Sequence, residues 1–370
     1  MKRIAIVTSL VLLVSILVWG WGCTQTAIAP SPTAKPTTPA ASPAPKPTSS
    51  ATSVAPSPTA KPAPSPSPAA KGLVLKAISY KAPGSFVIDS YQEWAKLVTE
   101  RSKGELVIEY RGSTEVVPQN DQPEAIRKGV IDVLIMPGSR FAGLFPEALS
   151  LPVTSLKPAE ERSSGYYTFI DEKFKAVNIK YIGRVTANWY YLFTNKKVEK
   201  PTELKGQKLR STSTYNPFVK ALGATPASID NAEVYSALEK KVIDGFVTTV
   251  EEPIELSTWE VTKYIVDHFF YEGYNPVTVM NLDVWNKLPK NLQDLVISAT
   301  VDFEGQKYPA SEKIAVDSRA ELIKKGMTPI KFSAEDGKAF RDLAYSSYYD
   351  DMKTRMSAES FNKIMGFLKK

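Results

Sequence analysis

The chain of 370 residues is 43% hydrophobic and 23% charged, which is enough for one large or two medium globular domains. Its single cysteine, Cys23, excludes an intrachain disulfide and a cysteine-rich zinc site, and its single histidine, His268, excludes a multi-histidine metal site. The net charge of +7 comes mostly from residues 1–70, which hold five basic and no acidic residues. The remainder is near neutral, so we expect no nucleic-acid partner.

The first 70 residues have the composition of a targeting segment followed by a tether. Residues 1–22 place two basic residues before an apolar run, as signal peptides do. Cys23 then follows a glycine, which resembles the lipidation site of a bacterial lipoprotein; a plain signal peptide or an uncleaved membrane anchor is the alternative. Residues 23–70 are rich in Pro, Ala, Ser and Thr and bury too little to fold. Each alternative places the remaining chain outside the cytoplasm.

From residue 72 onward, the hydrophobic pattern predicts two runs in which strands and helices alternate. The first run comprises strands Gly72–Ser79, Glu105–Tyr110 and Val130–Met136 and helices Phe86–Arg101 and Asp121–Lys128. The second run comprises strands Lys208–Ser211, Pro226–Ile229 and Val242–Val247 and helices Asn216–Leu222 and Glu233–Lys240. Alternation of this kind is typical of parallel βαβ units. It therefore predicts two α/β lobes, with a ligand cleft at the carboxyl ends of their strands and a hinge between them.

Further helices and strands are predicted before and after the second run. They are a helix near Pro158–Val177, strands near Ile179–Val185, Trp189–Thr194, Tyr264–Phe270 and Val277–Asn281, and a helical tail from Leu288. Within that tail we expect the stretch Asn291–Lys325 to be broken or bent at Pro309, because proline cannot donate to the helical ladder.

Enzymatic signatures are weak in this chain. Glu251 and Glu252 are adjacent, and adjacent strand residues point to opposite faces, so a solvated turn or helix start is a better interpretation than an acid/base pair. His268 stands among apolar residues, as a structural histidine does. The chain has neither a phosphate-binding glycine loop nor a Gly-x-Ser-x-Gly motif. We predict no enzyme, no catalytic residue, no metal site and no cofactor, with a secreted hydrolase as a distant alternative.

A series of short motifs resembles the solute-binding proteins of TRAP transporters, the DctP family. Pro201 to Arg210 reads Pro-Thr-Glu-Leu-Lys-Gly-Gln-Lys-Leu-Arg, similar to the family segment P-x-D-L-K-G-x-K-x-R. Gly223-Ala224-Thr225-Pro226 and the segments Glu233–Glu239 and Val242–Gly245 follow with the family's order and spacing. The resemblance covers essentially all of residues 72–370. It implies a periplasmic-binding-protein-like fold of the class II type, two-lobed, with a helical C-terminal tail.

The resemblance also implies the site. In the family, the arginine that ends the K-x-R segment holds the ligand carboxylate, and Arg210 occupies that position; a structural ion pair is the alternative. Further expected ligand contacts are Tyr80, Pro137, Tyr190, Asn231, Thr248 and Phe246. For each of these, capping, turn or core packing is the alternative. Tyr190 stands where many members have a second basic residue, and aromatic residues are frequent nearby, which favours a monocarboxylate with an apolar or aromatic body.

The implied function is capture of a small organic acid by domain closure and its delivery to the integral-membrane subunits of a TRAP permease. A sensor or surface protein of the same fold is an alternative. We expect the protein to be extracytoplasmic and tethered to the cell membrane by a lipid at Cys23. The expected boundaries are residues 71–186 with 277–316 for one lobe, and residues 187–276 with 317–370 for the other.

Overall fold

The structure is a computed structural model that describes residues 72–273 and 276–368. The predictions for the signal segment, for lipidation of Cys23 and for the tether lie outside the described residues. Within the described ranges, no helix combines the length and the apolar character needed to cross a membrane.

The described chain contains twelve strands and eleven α-helices. The strands are β1 (Leu73–Ser79), β2 (Leu106–Gly112), β3 (Val133–Pro137), β4 (Ile179–Gly183), β5 (Asn188–Thr194), β6 (Lys208–Ser211), β7 (Thr225–Ser228), β8 (Gly245–Thr249), β9 (Tyr264–Val266), β10 (Tyr271–Gly273), β11 (Pro276–Asn281) and β12 (Thr328–Ile330). The helices are α1 (Phe86–Arg101), α2 (Gln122–Arg127), α3 (Pro158–Ser164), α4 (Tyr166–Lys175), α5 (Asn216–Ala221), α6 (Val234–Glu239), α7 (Glu252–Glu255), α8 (Leu282–Lys287), α9 (Lys290–Lys324), α10 (Ala334–Arg355) and α11 (Ala358–Leu368).

Two sheets form the two lobes of the fold. Lobe I carries the sheet with strand order β2-β1-β3-β11-β4, in which β1, β2 and β3 are parallel and β11 is antiparallel to both of its neighbours. Lobe II carries the sheet with strand order β12-β9-β5-β8-β6-β7, and β10 pairs with β5. Strands β6, β7 and β8 are parallel, while β5 runs antiparallel to β8. The two predicted βαβ runs are therefore confirmed, one in each lobe.

Helix α1 shows how the sequence builds lobe I. Ser85 caps the helix by accepting a hydrogen bond from the backbone N–H of Ile88 at 3.4 Å. The apolar face that recurs at helical spacing, including Tyr91 and Trp94, is buried against the sheet. The Trp94 indole donates to the Thr300 hydroxyl of α9 at 2.9 Å, which joins the two helices.

The hydrophobic core has one cluster in each lobe and one that joins them. The joining cluster contains Leu134 of lobe I, Leu192 of lobe II and Phe340 of α10. The C-terminal helices therefore pack into a core that both sheets share.

The chain passes from lobe I to lobe II between β4 and β5. There the buried Glu304 carboxylate of α9 accepts hydrogen bonds from the Arg184 backbone N–H at 2.9 Å and from the Arg162 guanidinium. A Cβ on Gly183 would come within 2.3 Å of that carboxylate, so a larger residue here would displace the Glu304 side chain. The hydrogen bonds of the buried Glu304 carboxylate therefore attach this crossing segment to helix α9.

Several predicted elements need correction. The helix predicted over residues 158–177 is divided at Gly165, which has a φ of +85° and ends α3. Helix α9 continues through Pro309 as one helix, so the predicted break is wrong, and the alternative of a bend stays a prediction. The strand predicted over Val242–Val247 begins later, at Gly245, because Val242 is exposed in the turn after α6.

Candidate functional site

The candidate site lies where the carboxyl ends of strands from both lobes meet. In lobe I, Tyr80 and Lys81 follow β1, and Arg140 follows β3. In lobe II, Arg210 lies on β6 next to its end, Asn231 follows β7, and Glu251 follows β8. This is the edge at which open α/β sheets bind ligands.

Arg210 is 6% exposed and is held by neutral acceptors. Its Nε donates to the Ile229 carbonyl oxygen at 3.0 Å, and its Nη2 donates to Asn231 Oδ1. No carboxylate oxygen of the described residues lies within 4.0 Å of this guanidinium. Arg210 thus carries a positioned positive charge that no direct ion pair neutralises.

Asn231 stands between Arg210 and an acidic side chain. Its Nδ2 donates to Glu252 Oε1, while its Oδ1 accepts from Arg210. Burial raises the pKa of Glu252, and the positive charges of Arg210 and Lys81 counteract part of that rise. The alternative prediction that Asn231 caps the following helix is wrong, because its side chain is committed to Arg210 and Glu252.

Glu251, next along the chain, is buried in lobe II at 8% exposure. Burial raises its pKa to about 7, while its own backbone N–H and the Thr249 hydroxyl favour the charged form. Its Oε2 atom has no hydrogen-bond partner among the described residues. The predicted helix start is confirmed, since α7 begins at Glu252, but the solvated environment expected for Glu251 is wrong.

Two polar contacts join the lobes across the cleft. Lys81 Nζ of lobe I lies 2.9 Å from Glu255 Oε2 of lobe II, with about a quarter of each side chain exposed. Ser139 Oγ of lobe I lies 3.0 Å from Thr214 Oγ1 of lobe II. The two lobes therefore contact each other across the cleft in this structure.

Tyr80 lies in the cleft between the lobes and is half-buried. Burial raises the pKa of its phenol to about 12, and the carboxylates of Glu252, Glu255 and Glu251 favour the neutral form further. Its carbonyl oxygen accepts a hydrogen bond from Gln119 Nε2 at 3.2 Å. The residue predicted from the end of the first strand thus faces the acidic helix start of the opposite lobe.

Arg140 is a half-buried second guanidinium at the cleft. Its Nη1 donates to Asn120 Oδ1 at 3.1 Å and its Nη2 to Gln119 Oε1 at 3.3 Å. Burial lowers the pKa of Arg140, and the positive charge of Arg210 lowers it further, whereas Tyr215 and Asp230 raise it. Arg210, Tyr215 and Asp230 all belong to lobe II, so Arg140 lies within electrostatic range of that lobe.

The structure brings some of the sequence-predicted residues together and leaves others apart. Tyr190 is buried and its ring centroid lies 5.3 Å from that of Tyr215, whose phenol in turn feels the charges of Glu252 and Arg210. Tyr80, Arg210 and Asn231 therefore share the surroundings of Glu252, while Tyr190 and Tyr215 border them from the core cluster that joins the lobes.

The other predicted residues lie at the border of the site or in the core. Pro137 ends β3 and is half-buried. Thr248 is buried within β8, opposite Tyr191. Phe246 stacks on Phe193 at 4.8 Å in the core of lobe II, so the assembled site does not include it. His268 accepts a hydrogen bond from the Phe332 backbone N–H at 3.2 Å, the structural role predicted for it.

Sequence reasoning missed Lys81, Arg140, Tyr215 and the role of the two glutamates. The available signal was position, since Lys81 follows Tyr80 directly and Arg140 lies three residues after Pro137. Both positions extend the strand ends from which Tyr80 and Pro137 were predicted.

A family model, two sequence relatives and a solved structure that match this chain all describe solute-binding proteins. The family model for DctP, a bacterial extracellular solute-binding protein of family 7, matches residues 78–355. A solute-binding protein of Albidiferax ferrireducens is 24% identical over 295 residues, covering 74% of this chain and 85% of the relative. The 2,3-diketo-L-gulonate-binding periplasmic protein of Escherichia coli is 25% identical over 262 residues, covering 66% and 76%. A TRAP periplasmic solute-binding protein of Desulfovibrio salexigens with bound orotic acid has the same fold, with a TM-score of 0.70, 21% identity and coverage of 80% and 97%.

Proposed function

The chain belongs to family 7 of the bacterial extracellular solute-binding proteins, and from that premise we propose that it binds a small organic acid, a monocarboxylate, between its lobes and delivers it to a TRAP-type permease. The observation that carries the proposal is Arg210, a buried guanidinium at the carboxyl end of a strand, held in place by neutral acceptors only. A guanidinium presents paired donors that match both oxygens of a carboxylate. A ligand carboxylate would supply the counter-charge that the protein does not place beside Arg210.

The surroundings of Arg210 support an acid with a flat or apolar body. Tyr190 and Tyr215 lie against each other on the lobe II side, and Tyr80 approaches from lobe I. Aromatic faces pack well against planar ligands. The relative that holds orotic acid carries a ligand of this chemical type, a ring with one carboxylate.

Closure of the lobes over the ligand would then give the loaded protein a surface that differs from that of the open protein. The contacts of Lys81 with Glu255 and of Ser139 with Thr214 join opposite lobes and would be absent when the cleft opens. Excluding water from the closed cleft strengthens the ion pair between Arg210 and the ligand. We propose that the permease subunits recognise the closed surface. The two lobes would have the boundaries that we predicted from the sequence.

We propose also that a lipid on Cys23 and the tether of residues 23–70 hold the protein at the cell membrane. Metabolic labelling with a radioactive fatty acid tests this step in the native host. Wild-type protein should incorporate the label and a Cys23→Ala variant should not, whereas equal labelling or no labelling of both would reject the lipid anchor.

The test of the binding site is titration calorimetry on the full chain. A thermal-shift screen of organic acids first identifies a binder, which at 100 times its dissociation constant stabilises the fold by about 2.7 kcal/mol. Leaving a buried ligand carboxylate unpaired costs about 3–5 kcal/mol. Arg210→Ala should therefore weaken binding by roughly a hundredfold to several thousandfold. Arg210→Lys should recover only part of that loss, because an ammonium group lacks the paired donors.

Arg341→Ala is the matched control. Arg341 is also without an ion pair among the described residues, but it is exposed and lies over the Phe269 ring, 5.0 Å from its centroid. Far-UV circular dichroism should show that both variants are folded. Unchanged affinity in a folded Arg210→Ala protein would reject Arg210 as the anchor.

A further inference from the structure

The arginines of the described chain fall into two groups. Seven of the ten place a guanidinium nitrogen within 4.0 Å of a carboxylate oxygen, namely Arg101, Arg111, Arg127, Arg162, Arg184, Arg319 and Arg355. The other three are Arg140, Arg210 and Arg341. Arg341 is exposed, so its charge is solvated, whereas Arg140 and Arg210 lie at the cleft, where burial makes an unpaired charge costly.

Both cleft arginines are positioned in the same way. Two side-chain amide oxygens hold Arg140, and a carbonyl and an amide oxygen hold Arg210. Neutral acceptors orient a guanidinium without cancelling its charge. Asp230, the one carboxylate that acts on Arg140, is exposed and beyond ion-pair distance.

The two arginines approach each other from opposite lobes. Arg140 follows Ser139, whose hydroxyl contacts Thr214, and Thr214 precedes Tyr215 beside Arg210. The charge of Arg210 is felt at Arg140. Closing the cleft therefore brings two like charges together, and this opposes closure unless an anion lies between them.

We infer that Arg140 is the lobe I half of an anion clamp, and that the carboxylate held by Arg210 is also gripped by Arg140 when the lobes close. This inference rests on the proposed function, and it adds a physical link between ligand binding and closure of the lobes. An anion on Arg210 turns the repulsion between the lobes into attraction. The same two residues thus make the empty protein favour the open form and the loaded protein the closed form.

The first experiment needs no ligand. In a Cys23→Ser full chain, labels at Lys96→Cys of lobe I and Lys240→Cys of lobe II report the inter-lobe distance by single-molecule energy transfer. Both labelled positions are exposed. Arg140→Gln should raise the ratio of closed to open molecules about three- to tenfold, the effect of removing one like-charge pair near a protein surface. Arg341→Gln, which removes the same charge elsewhere, should leave that ratio unchanged.

The second experiment adds an anion, with orotate as the probe. In the wild type, orotate should shift molecules to the closed form, and Arg140→Gln should raise the orotate concentration needed by about ten- to a hundredfold. If wild type and Arg140→Gln have the same ligand-free distribution, the clamp is overturned, whatever orotate does. If Arg210→Ala binds the acid as well as wild type does, it is the proposed anchor that fails, so the two failures are distinguishable.

Discussion

Glu251 makes the stability of this protein depend on pH in a direction opposite to that of most carboxylates. It is 8% exposed, and burial raises its pKa to about 7 in the folded chain, against about 4.3 for an unperturbed glutamate. The folded state therefore binds the proton more tightly than the unfolded state. The stability that this proton contributes is complete below the unfolded pKa and is lost as the pH rises through the folded pKa.

The size of the effect follows from the shift. One pKa unit corresponds to about 1.4 kcal/mol, so raising the pH from 5 to 8 should remove about 2–3 kcal/mol of folding free energy through Glu251. Glu251→Gln deletes this titration and keeps the size of the side chain. The difference in stability between variant and wild type should therefore move by about 2–3 kcal/mol in favour of the variant over this range.

Urea unfolding at pH 5, 6, 7 and 8 measures that difference. Other buried acids such as Glu161, whose pKa burial also raises to about 7, are present in both proteins and cancel in the comparison. Glu239→Gln changes an exposed glutamate of the same lobe, and its difference from wild type should stay flat. A Glu251→Gln difference that is equally flat would show that the carboxyl is not held protonated by burial.

Two further sets of substitutions test the cleft and the core. Lys81→Met and Glu255→Gln should each favour the open form. A double-mutant cycle on ligand affinity should give a coupling energy of about 1 kcal/mol, the upper range for ion pairs that keep some solvent contact. A coupling energy of zero would mean that the pair does not stabilise closure. Phe246→Ala should destabilise the fold by about 3–5 kcal/mol in chemical denaturation, because the ring is 2% exposed and stacks on Phe193. Weaker ligand binding with unchanged stability would instead support the pocket role predicted for Phe246 from the sequence.

Local patterns allowed much of the fold to be predicted. Helix α1 begins and ends at the residues predicted from its apolar spacing, Phe86 and Arg101. The parallel runs were predictable because strand and helix patterns alternate along the sequence, which is typical of βαβ units.

The continuity of helix α9 through Pro309 was not predictable, since it depends on tertiary contacts on both sides of the proline. Before the proline, Thr300 accepts a hydrogen bond from Trp94. After it, Ser311 accepts one from the Ala187 backbone N–H. Helix propensity predicts the free-energy cost of a proline inside a helix, but it does not predict the tertiary packing that offsets this cost.

The candidate site was predictable only in part. Arg210 ends a segment that resembles a family motif, and Tyr80 and Asn231 were expected from the same family resemblance. Lys81 and Arg140 are single charges without a pattern of their own, and their importance depends on which residues of the other lobe face them. The sequence contains no direct record of that pairing, because the partners lie many residues away and meet only when the two sheets are assembled. Phe246 is the opposite case: we predicted it for the site, but its ring stacks on Phe193 in the core of lobe II. The strand that carries it, β8, also begins three residues later than predicted.

The position of β11 has a consequence for how the chain reaches its folded state. This strand lies between β3 and β4 in the sheet of lobe I, yet it follows most of lobe II in the chain. A polypeptide emerging from its amino end cannot complete the first sheet until residue 281 has appeared, and until then one side of β3 presents unpaired backbone groups. Such an edge invites aggregation. Products truncated before β11 should therefore accumulate as insoluble material.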